Sequence, residues 1–179
     1  MLRATLSTTA AAVGVLGVAL ATNGALAGPE LIAFPEGYQD GFVHYATVNR
    51  ADERKQVVKI FANEAALASA KDGAPLDSGA VIAMEVYKAK LDDSEEPVTG
   101  EDGFFVADQL AAIAVMETRE GWGADYPEEW RNATWEYALF KGDGTPIERD
   151  YQPCFECHKP LDTSDYLFSF DALKAAAGG

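Results

Sequence analysis

The stretch SGAVIAMEVYKAKL, residues 78–91, decides how this chain folds. A period of two sets Val81, Ala83, Glu85 and Tyr87 on one face and Ile82, Met84, Val86 and Lys88 on the other, the alternation of a β-strand. Upstream, VVKIFAN (57–63) and GFVHYATVNR (41–50) carry the β-branched and aromatic content of two further strands. Between them and the deciding stretch, NEAALASAKDG (63–73) predicts a short helix capped by Asn63 and closed by Gly73. The opening GPELIAFPEGYQD (28–40), rich in Pro and Gly, is expected to run over the surface.

Downstream, DDSEEPVTGEDG (92–103) is an acidic, turn-rich loop, and FFVADQLAAIAVMETR (104–119) reads as a strand or a strand with a bulge. TWEYALF (134–140) is another strand, followed by a tight turn at KGDGTPI (141–147). After these come KPLDTSD (159–165), expected to be a loop, and the short amphipathic run YLFSFDALKAAA (166–177). Short strands adjacent in sequence and joined by turns predict the α+β class: a mainly antiparallel sheet with a few short helices packed on it.

Residues 1–27, MLRATLSTTAAAVGVLGVALATNGALA, have one basic residue, an apolar stretch from about Ala10 to Ala21, and small residues at Ala25 and Ala27. That is the pattern of a secretory signal peptide, and the apolar stretch is shorter than the roughly 18 residues a spanning helix needs. Cleavage after Ala27 leaves a single domain, residues 28–179, large enough for a real core. The expected location is the periplasm. The net charge of −15 becomes −16 once Arg3 is removed, a surface that repels phosphate backbones and anionic lipid. Nucleic-acid and membrane partners are therefore not expected; a basic redox partner is compatible with the charge.

The chemistry is concentrated in CFECH, Cys154 to His158, which holds both cysteines and one of the two histidines. Three readings compete. A redox dithiol wants a strand–helix–strand unit around Cys-x-x-Cys, and none surrounds this pair. A structural zinc site wants four ligands, and the only other histidine, His44, lies on a predicted strand far away. A c-type haem needs two thiols for thioethers and an imidazole beside them, and Cys154, Cys157 and His158 supply all three. Covalent attachment also needs export, which the leader provides. One covalent haem c, with His158 on its iron, is the expected cofactor. Only 21 residues follow His158 and none is Met, so any methionine ligand must come from Met84 or Met116. The strand-like segments have the wrong period for a four-helix bundle.

Taken in order, FPEGY, VVKIFANEAAL, LDSGAVIAMEVYKA, DGFFV, WEYALF and CFECHKPLDTSDYLFS resemble the cytochrome P-460 family, which includes the β-sheet cytochromes called c′-beta. The resemblance spans nearly all of residues 28–179, and CFECHKPLDTSDYLF is its most specific part. It implies a mainly antiparallel β fold, a homodimer, one c-type haem with a proximal histidine, and small nitrogen-oxide ligands. Members that oxidise hydroxylamine carry a lysine cross-linked to the haem edge; in a gap-free reading that position falls on Met84 here. Lys88 lies on the same strand face roughly 13 Å further along. The resemblance thus implies a member without the cross-linking lysine.

Two functional readings follow: an open haem that binds or transforms a ligand such as nitric oxide, or an electron-transfer cytochrome with His158 and Met84 as axial ligands. A hydroxylamine-oxidising enzyme is a further alternative, and whether the protein is a haem oxidoreductase or only a binder stays open at this level. Phe61 is a candidate distal wall, with plain core as the alternative. His44 is either a distal base or a structural histidine. Glu85, on the face opposite Met84, is expected in solvent or in a salt bridge. Trp122, Trp130 and Trp135 read as core and dimer-interface bulk. NAT at Asn132 matches a glycosylation acceptor, set aside in view of the bacterial-type leader.

Overall fold

Alternation of apolar residues over 81–89 produces the central strand of a five-stranded sheet. The structure, a computed structural model, describes Gly28 and residues 30–178; the predicted leader lies outside the described residues. Its elements are α1 (Tyr38–Gly41), β1 (Val43–Arg50), β2 (Gln56–Ala62), α2 (Glu64–Ala70), β3 (Val81–Ala89), β4 (Ala107–Thr118), β5 (Trp135–Phe140), α3 (Gln152–His158) and α4 (Phe170–Ala176). The strands lie in the order β1-β2-β3-β4-β5, each antiparallel to the next in sequence, so the α+β class holds. The predicted bulge is in β4, where Val86 faces Ala112 but Tyr87 faces Leu110.

Asn63 explains why a helix fits between β2 and β3. Its Oδ1 accepts from Ala66 N at 2.9 Å, capping α2, and from Val81 N at 3.1 Å, while Nδ2 donates to Gly79 O at 2.9 Å. One side chain thereby joins the helix start to the strand start. The acidic loop is itself paired, through Leu91 with Pro97 and Thr99 with Phe105.

Register assigns the faces. Ile60 is opposite Met84 and Val58 opposite Val86, so these four share the first face with Ile82, Trp135 and Tyr137. Phe155, Leu167, Phe170 and Leu173, from α3 to α4, cover part of it. The second face carries Phe61, Ala83, Ile113, Val115, Ala138 and Phe140.

Two sequence expectations change here. The segment 28–40 is not a surface approach: Ile32 and Tyr38 are buried against the second face. The reason is that β3 and β4 are apolar on both faces, and the second face needs a cover. The predicted loop KPLDTSD forms a 3-10 helix at Lys159–Ser164. Among the described residues no helix is long and apolar enough to cross a membrane.

Candidate haem site

Cys154 and Cys157 stand three residues apart on α3, a spacing that puts both thiols on one side of a helix. Both are free; Cys154 is half-buried and Cys157 exposed. Pro153 is accommodated in the first turn, where no intrahelical N–H is lost. Phe155 projects into the core, fully buried, with Tyr137 at 4.8 Å, Tyr126 at 5.9 Å and Trp130 stacked at 6.4 Å between ring centres. Asn132 Nδ2 donates to Phe155 O at 2.9 Å and to Tyr137 Oη at 2.8 Å, so the NAT asparagine is a buried clamp on α3. Burial pushes the Cys154 thiol up, the reverse of what an activated dithiol needs.

His158 ends α3 and is fixed from outside the helix. Its Nδ1 lies 2.6 Å from Tyr166 O, and since a carbonyl only accepts, Nδ1 carries the hydrogen and Nε2 the lone pair. Burial lowers its pKa, which favours the neutral imidazole that a metal requires. Tyr137 and Phe168 place their rings 5.0 Å from it on two sides.

The tail after the motif exists to aim that carbonyl. Asp165 (φ 48°) and Tyr166 (φ 61°) are consecutive non-glycine residues in the left-handed region. Buried Asp165 accepts from Leu76 N at 2.9 Å, and Tyr166 N donates to Leu161 O at 2.7 Å. Ser169 Oγ meets Tyr45 Oη at 2.7 Å, tying the tail to β1. Lys159 Nζ donates to the carbonyls of Glu128 and Arg131, holding the 3-10 turn Glu128–Trp130 against the motif.

The other candidates separate by face. Met84 lies on the first face and packs against the same cluster as Cys154 and Phe155. Its sulfur is met by Arg50 Nη2 at 3.4 Å. Phe61, opposite Ala83, is on the second face, packed at 5.5 Å on Tyr38 and 5.1 Å on His44. The structure does not bring Phe61 together with Met84 and His158, and the sheet itself separates them. His44, beside Phe61, hydrogen-bonds Ala46 O and Thr47 Oγ1, the partners of a structural histidine. Glu85 is on the face expected but is neither solvated nor salt-bridged: it is buried, accepting from Tyr38 Oη (2.8 Å), Gln39 Nε2 (2.9 Å) and Tyr87 Oη (3.0 Å). The cover from 28–40 supplies the first two donors. Arg50 and the Tyr166 carbonyl were not singled out in the sequence, where neither belongs to a local motif, and Asn132 was noted there only as a glycosylation match.

Among the described residues no group of three His, Cys, Asp or Glu side chains converges as a metal site, so the zinc reading lacks its ligands. The donor set fits a haem instead: two unpaired thiols on one helix side, a neutral imidazole with Nε2 unencumbered, and apolar surface beside them. Val48, on the first face opposite Val58, is 43% exposed, and Phe168, against His158, is 68% exposed. The family model described as cytochrome P460 matches residues 35–169, from the cover segment to the serine that binds Tyr45. The chain belongs to the cytochrome P460 family. As a cytochrome P460 member it is a haem protein, of a family that acts on nitrogen compounds. No curated protein matches this cytochrome P460 chain.

Proposed function

We propose that the chain from Gly28 onward is an exported monohaem c-type protein, homodimeric, which binds or transforms a small nitrogen-oxide ligand of the nitric oxide type. Cys154 and Cys157 hold the haem by thioethers and His158 ligates through Nε2; the bound iron supplies redox and ligand-binding chemistry. The observation that carries the reading is the pair of engagements at the two ends of the site: Tyr166 O takes the Nδ1 hydrogen of His158, and Arg50 takes the sulfur of Met84. The first orients the imidazole and makes Nε2 a stronger donor. The second occupies the thioether, which supports an open ligand side over methionine ligation. Phe155 and Asn132 keep the motif helix from shifting, while Met84 and Val86 present apolar surface that excludes water. Met84 offers no amine, so we expect neither a lysine cross-link nor appreciable hydroxylamine oxidation.

A second reading, electron transfer with His158 and Met84 as axial ligands, is favoured by Met84 lying on the same face of the sheet as Tyr137, whose ring is 5.0 Å from that of His158. The test is one protein preparation read three ways. Denatured protein should keep a haem stain on a gel that Cys154→Ala with Cys157→Ala removes. The ferrous protein should bind nitric oxide, and the ferric spectrum should lack a methionine–iron charge-transfer band. Absence of covalent haem overturns the cofactor assignment; a methionine band with no nitric oxide binding replaces the first reading by the second.

A further inference from the structure

Among the described residues, the first face of the sheet holds a half-buried cation without an acid, beside the haem motif. Arg50 ends β1, and its register opposite Gln56 places its side chain on the face that carries Val58 and Met84. Its guanidinium donates to Met84 Sδ at 3.4 Å and makes one long contact to Gln56 Oε1, also at 3.4 Å, both neutral acceptors. Among the described residues it has no carboxylate within salt-bridge distance. The nearest acid in sequence, Asp52, is taken by Arg54, which approaches both of its oxygens through Nε at 2.9 and 2.8 Å and again through Nη2. In a chain with 29 acidic and 14 basic residues, a half-buried arginine without an acid has been left so by the fold and not by scarcity.

We propose that Arg50 is the anion-binding residue of the haem site, presenting its planar fork to a two-oxygen anion, either a carboxylate borne by the porphyrin or free nitrite. The inference rests on the haem reading given above. A guanidinium offers parallel N–H groups that match two oxygens on one atom, and in a partly desolvated place such a pair is stronger than between neutral groups. Neither a thioether nor an amide oxygen uses that geometry. Burial also draws the Arg50 pKa down, with the nearby Arg54 guanidinium adding to the effect and Asp52 opposing it. Its field reaches both Cys157 and His158, so an anion bound there lies beside the motif.

The experiment uses haem-loaded wild type, Arg50→Gln and Arg50→Lys, with Lys71→Gln, exposed after α2, as a control for the lost charge. Nitrite is titrated into the ferric protein by its optical spectrum, and the propionate bending mode is followed by resonance Raman. If the anion is free nitrite, Arg50→Gln weakens nitrite binding at least about tenfold, the loss expected for one charged hydrogen bond, and Arg50→Lys recovers part of it. If the anion is the porphyrin carboxylate, the bending mode moves in Arg50→Gln and nitrite affinity is kept. Unchanged affinity together with an unmoved mode, in variants that keep the wild-type circular dichroism, overturns the proposal, as does an equal effect of Lys71→Gln. A wild type that carries no covalent haem overturns the haem reading and this inference with it, whereas a haem-loaded wild type with silent Arg50 variants sinks the inference alone.

Discussion

Replacing Glu136 by Gln is expected to stabilise the protein at pH 8 and to do little at pH 5. Glu136 is fully buried on β5, on the second face, opposite Glu117 of β4, and neither of its carboxylate oxygens has a hydrogen-bond partner of good geometry among the described residues. Burial raises its pKa from 4.5 to about 7, against a smaller lowering influence of Tyr126. Glu117, its cross-strand neighbour, is already paired with Arg119 at 2.5 Å and leaves Glu136 no cation. The sign follows from proton binding. Between the unfolded and folded pKa the native state holds the proton more tightly, so stability is full below about 4.5 and is lost as pH rises through 7. Relative to low pH, the raised pKa then lowers stability by roughly 0.8 kcal/mol at pH 5, where only the unfolded chain ionises, and by roughly 3 kcal/mol at pH 8. Glu136→Gln removes the ionisation and keeps the shape. Urea unfolding of the haem-loaded proteins, followed by far-ultraviolet circular dichroism at both pH values, should show the variant gaining about 2 to 3 kcal/mol on wild type between pH 5 and pH 8. Stability curves that run parallel with pH, or a wild type that gains on the variant as pH rises, would refute the reasoning.

Phe155→Ala should cost about 3 to 5 kcal/mol, because it empties a site enclosed by three aromatic rings, and thermal unfolding measures it. Asp165→Ala removes the acceptor of the buried Leu76 N–H and should cost about 1 to 3 kcal/mol, with a shift in the haem reduction potential as the Tyr166 carbonyl moves on His158; Asp165→Asn, which keeps an acceptor and tolerates the left-handed region, should show less of both. Met84→Ala should alter nitric oxide association in stopped-flow measurements, and identical kinetics would reduce Met84 to packing.

The strands were legible because each declares its period within a few residues, and CFECH stood out because it gathers both cysteines and a histidine within five residues. Asn63 was legible as a cap for the same reason. What escaped depends on register, which no single strand contains. Phe61 reads in the sequence as a distal wall and Met84 as a possible axial ligand, but only the pairing of Phe61 with Ala83 and of Ile60 with Met84 shows that they occupy opposite faces. Glu85 read as solvent-facing because the segment that buries it looked like surface chain; Ile32 and Tyr38 bury themselves only because β3 and β4 turn a second apolar face toward them. The hold on His158 is a backbone carbonyl aimed by two left-handed residues, neither of them glycine, and side-chain identities do not encode it. Arg50 lacks a motif, and its interest arises from what is missing around it.

The meander has a kinetic corollary. Every ladder joins strands that follow one another along the chain, so most of the sheet assembles through short loop closures and low contact order, and all five strands are complete by Phe140. The tail is different: the bond between Tyr45 and Ser169 closes a span of 124 residues. The segment that carries Asp165 and Ser169 therefore lands late, on a surface that already exists, and the entropy of holding it there is that of a long loop. If haem is attached at Cys154 and Cys157 as proposed, attachment anchors the chain just ahead of this late-docking segment, and a chain without haem should lose the order of the segment carrying Asp165 and Ser169 well before that of its sheet.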